Sequence, residues 1–484
     1  MQESNTNTTI LSNFTWRFFE RCGAQVVQFV VSIILARLLE PTHYGTIALM
    51  NVFISILNLF ISSGFGSALI QKKDADNVDF STVFYVQMFL CIILYFLLFL
   101  FAPYIARFYA QPEMEGMLRV LGLTLIVAGV KNVQVAYVSR TMQFKRFFFA
   151  TLGGTFGAAI VGIGMAYAGF GAWALIAQGL FNNIVDTIIL WFTVKWRPTK
   201  EFSLKRVKTL FSFGGKLLLS GLLDKIYNNI RTLIIGKLYT STELAYYNKA
   251  SGWPQLIVDN VNTSIDSVLL PAMAKEQEYS ERVKNMTRRA IKTSTYVMAP
   301  FMMGLAFVAE PLIRLILTEK WLSSVPYMCI FCVTYMFYPV HTSNLNAIKA
   351  MGRSDLFLKL EIIKKGIGLL AIISTMHFGV MAMAYSLIFT SVTSQIINSW
   401  PNRKLLNYGY LEQLKDILPG IALAVFMGGC VSLVSLLKLS DIVTLMIQIP
   451  LGAIVYIGLS KLFKLDSFEY LWGIAKDILK IRKI

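Results

Sequence analysis

Apolar runs of about 20 residues, separated by short polar loops, recur along the whole chain. A run of that length crosses the roughly 30 Å hydrocarbon core of a bilayer as an α-helix rising about 1.5 Å per residue. The pattern predicts spans near Phe14–Leu39, Tyr44–Ile70, Val83–Phe101, Leu118–Val138, Phe147–Ala168 and Ala172–Val194. A second set follows near Phe213–Leu238, Tyr246–Leu270, Thr293–Leu317, Trp321–Ile348, Leu356–Met376 and Val380–Trp400. Two more, near Leu414–Leu437 and Ile442–Leu462, bring the expected count to about 14. The reading is an all-α polytopic membrane protein with an N-lobe at residues 1–200 and a C-lobe at 201–402. Two further helices at 403–463 and an amphipathic basic tail at 464–484 complete it.

Polar positions inside these runs repeat. In the first span Arg17, Arg21, Gln25, Gln28 and Ser32 fall on one helical stripe. In the seventh, Lys216, Ser220, Asp224, Tyr227 and Arg231 have the same spacing. Asn51, Ser55, Asn58 and Ser62 are answered by Ser251, Gln255, Asp259 and Asn262. FGAWALIAQGLF from Phe170 resembles FGVMAMAYSLIF from Phe378, and RTMQFKRF from Arg140 resembles KAMGRSDLF from Lys349. An even number of spans per half makes this a parallel repeat, with two six-helix lobes expected around a central cavity.

An ionised side chain facing lipid at mid-membrane costs at least about 2.5–3.5 kcal/mol, so the stripes are expected to line a wet path. Arg231 lies about 22 Å deeper along its helix than Lys216, too far to reach the same surface by snorkelling, and Lys131 sits similarly deep. The bland alternative is internal pairing that only holds helices together. Among the lining candidates the cations Arg17, Arg21, Lys131, Lys216, Lys225 and Arg231 outnumber Glu20, Asp224 and Asp259. That balance suits an anionic cargo such as a phosphate or pyrophosphate, with Gln25 and other amides and hydroxyls suiting sugars. Asp224 and Asp259 are the candidate ion-coupling residues.

Composition agrees with lipid as the solvent: 56% hydrophobic, 15% charged, mean hydropathy +0.59. The net charge of +18 is spread over loops rather than gathered in a basic domain, which argues against nucleic acid. With a cytoplasmic N-terminus the inward loops and tail hold about 29 Lys and Arg against about 5 outside, so both termini are expected in the cytoplasm. The stretch Met1–Asn13 lacks the basic region of a secretory signal. No G-x-x-x-x-G-K-[ST] loop is present and no catalytic constellation stands out, so a non-enzyme with neither cofactor nor metal is expected. His43, His341 and His377 stand apart, and the C-x-x-C at Cys329 and Cys332 has no second ligand pair and reads as packing. Gly153, Gly157, Gly162 and Ala158 form small-x-x-x-small patterns that predict close helix packing. Pro254, Pro300, Pro326, Pro339 and Pro450 fall within expected spans, as kinks or as ordinary membrane-helix prolines.

LARLLEPTHYGTIAL at Leu35–Leu49, SALIQKKD at Ser67–Asp74 and FGAWALIAQ at Phe170–Gln178 resemble the polysaccharide transporter family. IGKLYTSTELAYYNKA at Ile235–Ala250 and LLPAMAK at Leu269–Lys275 extend the likeness over nearly the whole chain, nearest to Wzx-like exporters of colanic-acid or O-antigen type. The resemblance implies the multidrug/oligosaccharidyl-lipid/polysaccharide flippase fold, in the bacterial cytoplasmic (inner) membrane. It also implies an undecaprenyl-pyrophosphate-linked oligosaccharide as cargo, with a glycan polymerase and glycosyltransferases as possible partners. It transfers no site residue, because the matching motifs lie at helix ends. A multidrug exporter of the same superfamily and a non-transporting scaffold for glycan enzymes are the alternatives.

Overall fold

The computed structural model describes residues 23–62, 69, 72, 74–143 and 145–481, less the side chains of 62, 145, 209–214, 216–217 and 478–481. Every regular element among them is helical. In order they are α1 (Gly23–Leu38), α2 (Pro41–Ser62), α3 (Asn77–Phe108), α4 (Met114–Arg140), α5 (Lys145–Tyr167), α6 (Ala172–Thr193), α7 (Leu204–Leu238), α8 (Ser241–Lys275) and α9 (Ser280–Phe307). Then come α10 (Ala309–Leu317), α11 (Val325–Tyr335), α12 (Tyr338–Ala350), α13 (Ser354–Thr375), α14 (Val380–Leu405), α15 (Tyr410–Leu433), α16 (Asp441–Leu462) and α17 (Asp466–Ile481). Short 3₁₀ turns at Glu319–Ser324 and Val434–Leu437 join neighbouring helices.

Among the described residues, nine helices are long and apolar enough to cross a membrane, and ten if α9 and α10, bent by 64° at Val308, form one broken span. The expected count of about fourteen is not reached by length and apolarity alone. Those that fall short are α1, with few described residues, and α7, α8 and α13, whose charged and amide positions lower their hydropathy. The expected span Trp321–Ile348 is one of the nine, running over Glu319–Ala350; within it a 3₁₀ turn leads into α11 and α12, with Pro326 and Pro339 at the helix starts, where the missing N–H costs no hydrogen bond. Pro254, Pro300 and Pro450 lie inside helices.

The matched repeat motifs have a backbone reason. Gly171 (φ +54°) precedes α6 and Gly379 (φ +100°) precedes α14, each taking the left-handed conformation that starts a helix after a tight turn. The turns that end α4 and α12 likewise pass through positive φ, at Met142 and Gly352.

The chain divides into two compact units between Ala245 and Tyr246. In the first, α7 packs on α2: Gly221 meets Leu59, Gly236 meets Leu49, and Gly45 leaves no room for a Cβ beside the Ser241 carbonyl. One core joins Phe80, Val133, Phe147, Leu190 and Trp196, and another joins Val31 and Leu35 of α1 to Ala159 and Ala174. The glycines of α5 do what their spacing predicts. A Cβ on Gly153 would meet Ile189, on Gly157 Phe181, and on Gly162 Gln178, each closer than 3.0 Å.

In the second unit Met273, Val283, Ile291, Val340 and Ile417 form a core beside a buried amide network. Asn344 Nδ2 donates to Gln413 Oε1 at 2.8 Å, and Gln413 Nε2 to Asn344 Oδ1 at 2.9 Å. Asn402 Nδ2 adds a 2.7 Å bond to the same Asn344 oxygen, tying α12, α14 and α15 together. Cys332 is buried, and Cys329 Sγ lies 3.5 Å from the Ala306 carbonyl. Large apolar side chains such as Phe89, Phe96 and Phe192 stay exposed, as lipid-facing residues do.

Candidate functional site

The first unit holds a cavity of about 380 Å³ between α2, α4 and α6. Helical spacing builds its wall: Leu121, Thr124, Ala128 and Lys131 recur on one face of α4, Asn51, Ile54 and Asn58 on one face of α2, and Gly179 and Asn183 on α6. Gly179 places no side chain in the space and has no neighbour that a Cβ would touch. Amides dominate the polar part of the wall, which suits hydroxyl-rich guests because an amide both donates and accepts.

Lys131 is the cation of this wall. Its Nζ lies 3.2 Å from Asn183 Oδ1 and 3.6 Å from Asp186 Oδ2, with both charged side chains largely sheltered. An ammonium has three N–H groups; the two contacts leave one for a guest. Room for Asp186 comes from α5, where Gly154 faces Asp186 and Asn182 so closely that a Cβ would lie 2.2 Å from Asp186 Oδ1. The helix-pairing alternative weighed for Lys131 is therefore part of the answer: the residue pairs with Asp186 and still faces the cavity.

The other sequence candidates fall elsewhere. Arg17 and Arg21 lie outside the described residues, as does the side chain of Lys216. Gln25 is exposed on α1. On α7, Asp224 is exposed and Lys225 and Arg231 are half-buried; neither they nor Gln25 line the cavity of Lys131. Asp259 belongs to the other unit, is exposed, and accepts from Gln255 Nε2 at 2.5 Å. Asn183 and Asp186 were not singled out from the sequence. The available signal was three polar residues, Asn182, Asn183 and Asp186, within five positions of a largely apolar helix.

A second charged assembly lies at the start of α3. Asp76 and Asp79 form a reciprocal capping box there. Fully buried Asp79 also receives Lys72 at 2.6 Å and Arg206 at 3.0 Å, and Arg206 reaches Asp76 as well. Hydrogen bonds from the Arg206 guanidinium and the Asp79 N–H hold the Asp76 carboxyl down at about 2. Arg140 donates to the Leu69 and Lys72 carbonyls. Through Leu69 and Lys72 these contacts form a strap that ties the approach to α3 to the end of α4 and the start of α7.

Comparison with known proteins agrees with this architecture. The teichuronic acid biosynthesis protein TuaB of Bacillus subtilis (strain 168) is 25% identical over 463 residues, covering 93% of this chain and 95% of that protein. The lipopolysaccharide biosynthesis protein WzxC of Escherichia coli (strain K12) is 23% identical over 383 residues, 78% of this chain and 76% of that protein. Among solved structures, the lipid II flippase MurJ in an inward closed conformation superposes with a TM-score of 0.74 at 14% identity, over 94% of this chain and 99% of that one. An inward-facing multidrug resistance MATE family transporter gives 0.63 at 14% identity, over 79% of this chain and 94% of that one. These likenesses are of fold: an all-helical, multi-pass membrane architecture with two lobes. A family profile described as "Polysaccharide biosynthesis protein" matches residues 34–326, more than half of the chain. The chain belongs to the polysaccharide biosynthesis protein family.

Proposed function

We propose that this protein is a flippase that carries an undecaprenyl-pyrophosphate-linked oligosaccharide across the bacterial cytoplasmic membrane by alternating access between its lobes, with both termini in the cytoplasm. The observation that carries the reading is the cavity of Lys131: one sheltered cation amid Asn51, Asn58, Asn132 and Asn183, inside a unit of apolar helices. The cation suits a phosphate and the amides suit sugar hydroxyls, and a charge held within a membrane bundle marks a path for cargo. Arg17, Arg21, Gln25, Lys216, Lys225 and Arg231 extend the polar path in this reading, and Asp224 and Asp259 bind the coupling ion. A glycan polymerase and glycosyltransferases are the partners that would supply and use the cargo.

Deleting the gene and analysing the lipid fraction tests the class of cargo. A lipid-linked oligosaccharide should accumulate on the cytoplasmic face while mature glycan is lost; an unchanged lipid fraction would remove the proposal. Replacing Lys216 and Arg231 together with Gln should abolish surface glycan at normal protein abundance, and continued export would exclude that pair. Asp224→Asn should lower gradient-dependent transport in vesicles; undiminished dependence would take Asp224 out of the coupling role.

A further inference from the structure

A basic crevice in the second unit is unrelated to the cavity of Lys131. Helix α9 has 28 residues, about 42 Å of helix, which exceeds the hydrocarbon thickness by about two turns. Its charged N-terminal turns therefore stand at the membrane surface. There they meet the start of α17, leaving a space of about 450 Å³ lined by Asn285, Arg288, Arg289, Lys292, Ser467 and Tyr470. A smaller adjoining space shares Lys292 and Asp466 and adds Lys415, Lys464 and Asp416.

The charges here are unevenly used. Arg288 is taken up by Asp416 at 2.8 Å and Glu412 at 3.3 Å, and Lys292 by Asp466 at 2.8 Å. Arg289 meets no carboxylate among the described residues; its guanidinium lies 4.2 Å from the centre of the Tyr470 ring. Stacking on a ring face leaves the N–H groups at the edge of the guanidinium for an acceptor. Lys415 and Lys464, close by, also have no ion pair among the described residues, so the two spaces together carry a positive excess over the carboxylates. The first turn of α17 adds its N-terminal backbone dipole at Ser467.

The surroundings are apolar in the manner of a membrane interface. Phe463, just after α16, is 65% exposed, and on α17 Trp472 is 54% exposed with Tyr470 and Ile474 partly exposed. Phe468 stacks on Trp472 and Lys476 lies over it, so α17 sets aromatic rings and a cation side by side. A short helix that presents exposed aromatic rings beside a cation lies in the plane of the headgroups.

We infer that the crevice between the N-terminal turns of α9 and α17 binds the headgroup phosphate of an anionic glycerophospholipid, with Arg289 as its direct partner and the exposed rings of α17 against the acyl chains. A free phosphate would engage only the cations, whereas the adjoining rings provide for a molecule that is charged at one end and apolar at the other.

The test uses the full chain in a neutral detergent, titrated separately with phosphatidylglycerol, phosphatidylcholine and inorganic pyrophosphate while bound lipid is followed by native mass spectrometry. Phosphatidylglycerol should bind about fivefold more tightly than phosphatidylcholine, and Arg289→Gln should remove about that factor, the contribution expected of one basic residue at an anionic surface. Arg289→Lys should keep most of it, and the melting temperature of each variant in lipid-free detergent reports folding. Equal binding of the two lipids by wild type, or unchanged phosphatidylglycerol preference in a folded Arg289→Gln, would overturn the inference. Displacement of the lipid by equimolar pyrophosphate would do the same by showing a site for free anions only.

Discussion

Asn344 and Gln413 exchange two amide hydrogen bonds across the interior of the second unit, each donating to the other's oxygen. Both side chains are completely buried, so neither can turn to water if its partner is lost. Gln413→Leu should lower stability by about 1–3 kcal/mol, the cost of stranding the buried amide of Asn344 and the Tyr408 carbonyl. The double replacement with Asn344→Leu should cost less than the two single changes added together. Thermal unfolding of the four proteins in detergent checks the cycle, and strict additivity would deny the coupling.

Lys131 and Asp186 make a different prediction, on activity. Lys131→Gln keeps length and hydrogen bonding but removes the charge, and export should fall about tenfold or more, the loss of one charge-assisted bond. Lys131→Arg should restore a large part. Asp186→Asn leaves Lys131 with more charge to share and should affect export less than Lys131→Gln. Cells carrying each variant at equal abundance can be compared for accumulated lipid-linked oligosaccharide. Equal export by wild type and Lys131→Gln would leave Lys131 with a packing role alone.

At the α3 strap, Asp79→Asn removes the buried charge that holds Lys72 and Arg206. Both cations are about one-third exposed and regain some hydration, so a loss of about 2–3 kcal/mol is expected rather than the full cost of breaking a buried pair. The adjacent Asp76 has its carboxyl held below its ordinary value of 3.8, at about 2, so the Arg206 contact is complete above the ordinary value and is lost as pH falls through about 2. Protection of the amides at the start of α7, taken as exchange relative to the intrinsic rate at each pH, should therefore fall between about pH 4 and pH 2, and Arg206→Gln should abolish that change.

Gly154→Ala probes the packing that makes room for Asp186. The added methyl must push α5 away from α6 or displace the carboxylate, a cost of about 1–3 kcal/mol. Export should fall with stability. Gly164→Ala, at a position with no neighbour within 4 Å, is the control that should change neither.

Much of the fold was legible because lipid imposes a coarse rule: long apolar runs must be helices. The α5 glycines and the FG turns were readable for the same kind of reason, since only close approach or positive φ explains glycine there. The bend at Val308 was not, because neither proline nor glycine stands at that position to mark it. The site was harder. Lys131 stood out by its depth, but the carboxylate that answers it lies fifty-five positions later on another helix, and side-chain partners across helices leave no local period. Asn344 and Gln413 were invisible for the same reason, each reading as one polar residue among many.

Gly171 and Gly379 bear on how the two halves diverged. Matched motifs retain a left-handed glycine at the entry to α6 and to α14, yet in the register that pairs Arg140 with Lys349 the position of Lys131 is taken by Val340, wholly buried. The backbone requirement at the turns is thus common to both halves, while the side chain at the matched position is not. In that register one half carries an ammonium and the other an isopropyl group, so the matched faces differ in polarity while their turns agree.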